Sequence, residues 1–213
     1  MRSVLRITRR LAIVAAGLAL ATGCANDVPT SQSSAMAGMH DDPLLKATAP
    51  VAVQQELARL KAWSAPFHDL DAAAAAHYDV LFAGACIDET TVGVPRAEAK
   101  GMGYHITRSD VNLVTDGTID INQPEFLVYA PSVRDAELAP ADRLKASRLV
   151  GFEYFLPGDG TETPPELFGE PFGYSPQFGG WVRHFYLWGN NPDGLTADFN
   201  TKVPLCADPL VLN

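Results

Sequence analysis

The chain has 213 residues, of which 16 are Lys or Arg and 25 are Asp or Glu, so its formal charge is −9 and its pI is about 4.9. An excess of negative charge repels nucleic acid phosphates and anionic lipid headgroups. The composition therefore excludes proteins that bind nucleic acid or anionic membranes through their own charge.

The first 23 residues predict an export signal. Four arginines lie among the first ten residues, and apolar and small residues run without interruption from Leu11 to Ala21. This run is short for a membrane span, which needs about 20 apolar residues. Cys24 follows Ala21-Thr22-Gly23, which resembles a bacterial lipoprotein cleavage site, although Ala19-Leu20-Ala21 also suits ordinary secretory cleavage.

A lipidated Cys24 would anchor the protein to a membrane through its acyl chains. Loss of the signal would change the formal charge from −9 to −13, because the segment holds four arginines and no acid. We therefore predict an exported, lipid-anchored protein of the cell envelope, on its periplasmic or extracellular face.

Residues 24–50 are rich in small and polar residues and show no apolar periodicity, which predicts a flexible tether before a single globular domain at 51–213. Met36, Met39 and His40 lie in this tether. Such residues can bind copper, but three of them without a repeat are more typical of a plain linker.

Two helices are predicted at the start of the domain. Val53, Leu57 and Leu60 form an apolar stripe on a helix from Val51 to Trp63. A second, Ala-rich helix is predicted from about Asp69 to Ala83, with Gly84 as its C-terminal cap.

The chain from Gly101 onward predicts short strands and loops rich in Pro and Gly. The predicted strands are 102–107, 111–115, 125–130, 148–156 and 181–188. Residues 157–180 form a long loop with several aromatic residues, and loops of that length are usually functional. The fold class is α+β, with two N-terminal helices packed on a small, mostly antiparallel sheet or a partly closed β-barrel.

Three cysteines occur in the chain, at positions 24, 86 and 206. If Cys24 is lipidated, an oxidising compartment favours a disulfide between Cys86 and Cys206. The alternative is two free, buried thiols.

Four predicted strands each place one ionisable residue among apolar neighbours: His105, Glu125, Glu153 and His184. A buried carboxylate is costly to ionise unless it is paired or bound to a metal. Two His and two Glu suit Zn²⁺ or another divalent transition metal, so these residues are the predicted ligands.

Structural alternatives apply to several of these residues. His184 could be a core histidine bonded to a backbone carbonyl, and Glu125 could simply begin a strand at the rim. Arg143 or Arg183 could pair with a Glu.

A set of short motifs follows an Ala-rich segment with a Cys after it: Met102-Gly-Tyr-His105, Pro124-Glu125, Glu153-Tyr-Phe155, His184-Phe-Tyr-Leu-Trp188, Asn191-Pro-Asp-Gly194 and Asn200 with Cys206. With these motifs the chain resembles, over roughly residues 70–206, a family of uncharacterised bacterial secreted proteins and lipoproteins. Tyr186 stands where the family pattern often has Trp, and Cys206 lies further from Asn200 than the pattern suggests. The resemblance implies an exported protein but no particular activity.

Three functional hypotheses follow. The first is a metal-binding envelope protein, and the second is a metal-dependent hydrolase with three of the residues as ligands and one Glu as the general base. The third is a module that binds a small molecule or protein without catalysis. The sequence holds no nucleophile elbow, phosphate loop or CxxC motif, so it does not decide whether the protein is an enzyme.

Overall fold

The computed structural model of the protein describes residues 50–212. The described residues do not include the predicted signal at 1–23 or Cys24. They also leave out the predicted tether with its Met/His group, except for Pro50 at its end. No helix within residues 50–212 is long and apolar enough to cross a membrane.

The first predicted helix is confirmed as α1, Val51–Ser64, which buries Leu57 and Leu60. A short 3-10 helix, Ala65–His68, turns the chain toward α2, Leu70–Ala75. The Asp69 side chain caps α2 by accepting a hydrogen bond from the Asp71 N–H at 2.9 Å. This cap satisfies one of the amide groups that a helix N-terminus leaves unpaired.

The predicted extent of the second helix, to Ala83, is wrong. The helix ends at Ala75, His77 takes a left-handed conformation with φ 68°, and the chain enters a strand at Tyr78. Ala72–Ala75 are helical as expected, but helix propensity is a weak preference that tertiary context overrides in the residues that follow. Here the aromatic and branched residues after His77 gain pairing with a neighbouring strand, and Gly84 lies inside that strand with φ 64° instead of capping a helix.

Eight strands and a third α-helix follow within the residues that the structure describes. In chain order they are β1 Tyr78–Asp88, β2 Gly101–Arg108, β3 Phe126–Ala130, α3 Pro140–Ala146, β4 Arg148–Pro157, β5 Glu166–Leu167, β6 Glu170–Pro171, β7 Gly173–Ser175 and β8 Gly180–Phe185.

Six of these strands form one antiparallel sheet in the order β1-β2-β3-β4-β8-β7, and β5 pairs with β6 separately. The predicted α+β class is therefore confirmed, but the sheet is open and the alternative of a partly closed barrel is wrong. The predicted strand at 111–115 is also wrong, since Leu113–Thr115 is a 3-10 helix.

The two faces of the sheet are packed differently. Residues that alternate along the central strands, such as Tyr104, Leu127 and Phe152, join Leu57 and Leu60 of α1 in the main core. The opposite face holds a smaller apolar cluster of Phe126, Phe155 and Val182, packed by Phe82, Val114 and Phe178. This second face also holds the candidate site.

The predicted disulfide between Cys86 and Cys206 is confirmed, with the two Cα atoms 5.7 Å apart and 120 positions apart in sequence. Asp88 strengthens the same junction, because its buried carboxylate accepts a hydrogen bond from the Cys206 N–H at 2.8 Å. The C-terminal segment is thereby tied to the edge strand β1.

Candidate metal centre

Three strands place His105, Glu153 and His184 on one face of the sheet. Glu153 of β4 lies directly opposite His184 of β8, and side chains of paired residues project from the same face. On its other side Glu153 lies opposite Phe126 of β3, while His105 of β2 lies opposite Val128 of the same strand. The His105 side chain therefore reaches across β3 to meet Glu153.

Gly103 allows β2 to approach β3 closely beside the site. Its φ of 123° suits glycine, and an added Cβ would collide with the carbonyl oxygen of Tyr129. The glycine thus helps to fix the position from which His105 projects.

One carboxylate oxygen of Glu153 lies between the two imidazoles. Glu153 Oε2 is 2.9 Å from His105 Nε2 and 3.4 Å from His184 Nε2. One ligand atom from each residue lies within 4.8 Å of the other two, and the three residues are 1%, 8% and 2% exposed. His105, Glu153 and His184 could therefore hold a metal ion.

The ring nitrogens of both histidines are buried and have no hydrogen-bond partner within residues 50–212. The nearest polar atom to both Nε2 nitrogens is Oε2 of Glu153, at 2.9 Å from His105 and 3.4 Å from His184. Such unpaired buried polar atoms are uncommon in folded proteins and call for an explanation, for which an ion is one candidate. The alternative of a core histidine bonded to a backbone carbonyl does not apply to His184.

Charge is balanced within the cluster. Burial alone would raise the pKa of Glu153, but the positive charges of His184 and His105 lower it well below its usual range. Burial would likewise lower the pKa of His184, whereas Glu153 and the more distant Asp198 raise it to about 9. The buried carboxylate is thus stabilised by positive charge at this place, which imidazolium or a metal cation can supply.

Asp198 is a residue of the site that the sequence did not predict. Its carboxylate, with 48% of the side chain exposed, lies 3.5 Å from His184 Nδ1, on the side of the ring away from Glu153. A carboxylate in this position orients a ligating imidazole and raises its basicity. Asp198 lies between the Asn191-Pro-Asp-Gly194 motif and Asn200, but no spacing in the sequence connects it to His184.

The loop after β8 holds Asp198 in place. Tyr186 stacks on the His184 ring at an interplanar angle of 17°, and its hydroxyl donates to the Asp198 carbonyl at 3.3 Å. Asn191 donates from its side chain to the Phe199 carbonyl at 2.9 Å. The Asn-Pro turn is therefore the element that brings Asp198 back to the sheet.

Glu125, the fourth predicted ligand, lies outside this group. It precedes β3 and is 1% exposed, so it is not a rim residue, and its Oε2 accepts a hydrogen bond from the Phe155 N–H at 3.0 Å. Burial raises its pKa to about 8, which leaves it a neutral acid at pH 7. The reason for its separation is strand alternation, because Glu125 is one position out of phase with Phe126, the residue paired with Glu153.

The predicted arginine alternatives also do not apply. Arg143 donates to the Leu138 carbonyl at 2.7 Å, and Arg183 donates to the Thr196 carbonyl at 3.1 Å. Neither forms an ion pair with a glutamate in the described part of the chain.

A cavity of about 530 Å³ opens onto the cluster from the same face of the sheet. Glu153, His184 and Asp198 lie in its wall. The rest of its lining is mostly apolar and includes Phe82, Met102, Val114, Phe126, Phe155, Phe178, Val182 and Phe199.

The predicted loop at 157–180 forms one wall of this cavity. Its strand β7 pairs with the edge of β8, and Phe178 contacts Phe82 with ring centroids 6.1 Å apart. Tyr174 and Phe178 line the cavity, whereas Phe168 and Phe172 belong to the main core. The aromatic residues of the loop indicated in the sequence that the loop is functional. They did not show which of them line the cavity and which belong to the main core.

Comparison of the chain with protein-family models, curated proteins and solved structures finds no match. The resemblance to bacterial secreted proteins and lipoproteins therefore stays a prediction, and the functional argument depends on the geometry of the site.

Two imidazole nitrogens and one carboxylate oxygen are a ligand set that suits Zn²⁺, Fe²⁺ and related divalent ions. Three protein ligands leave coordination positions for water or a small molecule, which is the arrangement of reactive metal sites. Since Glu153 and His184 line the cavity, those positions would face it.

Proposed function

We propose that this chain is a metal-binding protein of the cell envelope that holds one divalent transition metal at His105, Glu153 and His184. The observation that supports this most directly is the convergence of three buried donor atoms within 4.8 Å of one another. The buried histidine nitrogens, which have no hydrogen-bond partner in the described part of the chain, also support the proposal, because metal coordination would satisfy them.

Titration of the metal-free protein with Zn²⁺ tests the proposal. Calorimetry should give one site per chain, and a free metal concentration of 100 times Kd should stabilise the fold by about 2.7 kcal/mol. For a domain of this size that corresponds to a rise in Tm of roughly 5–10 °C. Elemental analysis of protein purified from its native host would then identify the metal.

Substitutions separate this site from unspecific binding. His105→Ala and His184→Ala should each abolish the calorimetric signal and the rise in Tm. His77→Asn is the matched control, because it removes an exposed histidine and Asn tolerates the left-handed backbone there. Zn²⁺ binding of the same strength in the His105→Ala and wild-type proteins would refute the proposed site.

The proposed envelope location is supported by the basic and apolar N-terminal segment and by Cys24. In bacteria that process lipoproteins, the wild-type protein should fractionate with membranes and Cys24→Ser should be released or remain unprocessed. A soluble wild-type protein beginning at Thr22 would show that the Ala19-Leu20-Ala21 site is used instead.

A metal-dependent hydrolase is the second candidate, and the cavity beside the cluster is the observation that favours it. Glu125 belongs neither to the group of donor atoms nor to the cavity wall, so it does not suit the predicted role of general base. Asp198 is the carboxylate of the wall that is not a proposed ligand. Hydrolysis of aromatic esters by the Zn²⁺-loaded protein is a direct assay. Equal rates for wild type and His105→Ala would exclude hydrolysis of these esters at this site.

A further inference from the structure

The cavity that opens onto the cluster has a size and lining typical of a ligand pocket. Pockets that bury small organic molecules measure about 300–1,000 Å³ and are mostly apolar with a few polar groups at one place. This cavity measures about 530 Å³, and Glu153, His184 and Asp198 lie in a wall that is otherwise largely aromatic and aliphatic.

The charges in the wall restrict the ligand. No Lys or Arg lies among the lining residues, while two carboxylates do. A divalent ion at the cluster would balance these two negative charges without leaving a surplus of positive charge. With His184 bound to the metal, an anion would find no basic side chain in the wall to pair with, and an uncharged ligand fits the site better.

The apolar wall is built by five separate parts of the chain. Phe82 comes from an irregular stretch of β1, where Ala83 and Gly84 both have positive φ values. It contacts Phe126 of β3 with ring centroids 5.2 Å apart, and Phe178 closes the group from the 157–180 loop. Phe126, Phe155 and Val182 then extend from this group along the face that presents His184 and Glu153.

We propose that this cavity binds an uncharged, mostly apolar small molecule whose single nitrogen or oxygen donor completes the coordination of the metal. The apolar body lies against Phe82, Phe126 and Phe178, and the donor faces the open coordination position beside Glu153 and His184. This inference rests on the proposed metal site and adds the chemical class of its ligand.

Phenylimidazole and imidazole are a matched pair of probes, because they share a nitrogen donor and differ in an apolar ring. Cobalt(II) replaces zinc so that visible absorption reports entry of a donor into the metal shell. Burial of the phenyl ring should make phenylimidazole bind the cobalt protein at least about tenfold more tightly than imidazole. Equal affinities for the two probes would overturn the proposed pocket.

Gly173 provides a way to fill the cavity without touching the metal ligands. It lies opposite Val182 in the β7–β8 pair, so its side-chain position faces the cavity, and an added Cβ has no atom within 4 Å. Gly173→Trp should abolish the preference for phenylimidazole and leave the affinities for cobalt(II) and imidazole unchanged, while Gly173→Ala should keep the preference. If Gly173→Trp does not fold, Ser175→Trp on the same strand face replaces it. A folded Trp variant with the preference intact would refute the location.

A neutral apolar dye, N-phenylnaphthylamine, separates failure of the pocket from failure of the metal site. Its fluorescence should rise with the metal-free protein and not with the Gly173→Trp variant. A protein that binds the dye in this way but binds no cobalt(II) would overturn the metal site and the donor role, and support the pocket alone. A protein that binds cobalt(II) but neither the dye nor phenylimidazole would keep the metal site and overturn the pocket.

Discussion

Replacing Glu125 by Gln tests whether a neutral carboxylic acid is buried in the fold. The wild-type side chain is 1% exposed, and its Oε2 accepts a hydrogen bond from the Phe155 N–H. Gln has nearly the same shape and keeps an oxygen acceptor for that bond, but it cannot ionise. The substitution therefore removes a titrating group and leaves the packing in place.

The expected effect follows from the two pKa values of the carboxyl group. Burial raises the pKa in the folded protein to about 8, from an ordinary value of 4.5 that applies to the unfolded chain. The folded state therefore keeps a proton that the unfolded state releases, so the wild-type free energy of unfolding falls as pH rises from 4.5 to 8 and levels off above 8. One pKa unit corresponds to about 1.4 kcal/mol, so the full loss is of order 5 kcal/mol, and about 3 kcal/mol of it is present at pH 7.

Urea denaturation of the metal-free, disulfide-intact proteins at several pH values measures this difference. Glu125→Gln and wild type should have similar free energies of unfolding near pH 4, and the Gln variant should be more stable by several kcal/mol at pH 9. Other titrating groups cancel when the two proteins are compared at each pH.

Glu137→Gln is the control, because it makes the same chemical change at an exposed position and should alter the pH dependence little. A difference between wild type and Glu125→Gln that does not change with pH would refute the burial argument.

Two further predictions concern the cross-link and the neighbour of the metal ligand. Cys86→Ser with Cys206→Ser should lower the free energy of unfolding by about 2–5 kcal/mol in urea titrations, because the bridge closes a long loop, and thiol counting on the denatured wild-type domain should find no free thiol. Asp198→Asn should weaken zinc affinity about 10- to 100-fold in calorimetry while the protein stays folded, because the amide orients the His184 ring less strongly than a carboxylate. An unchanged zinc affinity would show that Asp198 does not support the ligand.

Local sequence patterns were sufficient to predict the elements whose tertiary contacts favour the same conformation. The apolar stripe of α1 and the alternating residues of β2, β3 and β4 appear in the structure close to their predicted bounds. The residues after His77 show the opposite case. The alanines before His77 favour a helix locally and four of them lie in one. Beyond them, pairing with β2 and burial of Tyr78 are non-local gains that a local pattern does not contain.

The sequence by itself identified His105, Glu153 and His184, because each is an ionisable residue within an apolar strand, and it identified the disulfide, because two cysteines remained to pair. Only the tertiary structure decided which of these groups meet. The order of the strands brings Glu153 beside His184 and within reach of His105, and the phase of β3 turns Glu125 away. Asp198 and the cavity also depend on contacts between distant segments, since a side chain's partners across a sheet are set by strand register and loop path, which residue spacing along the chain does not determine.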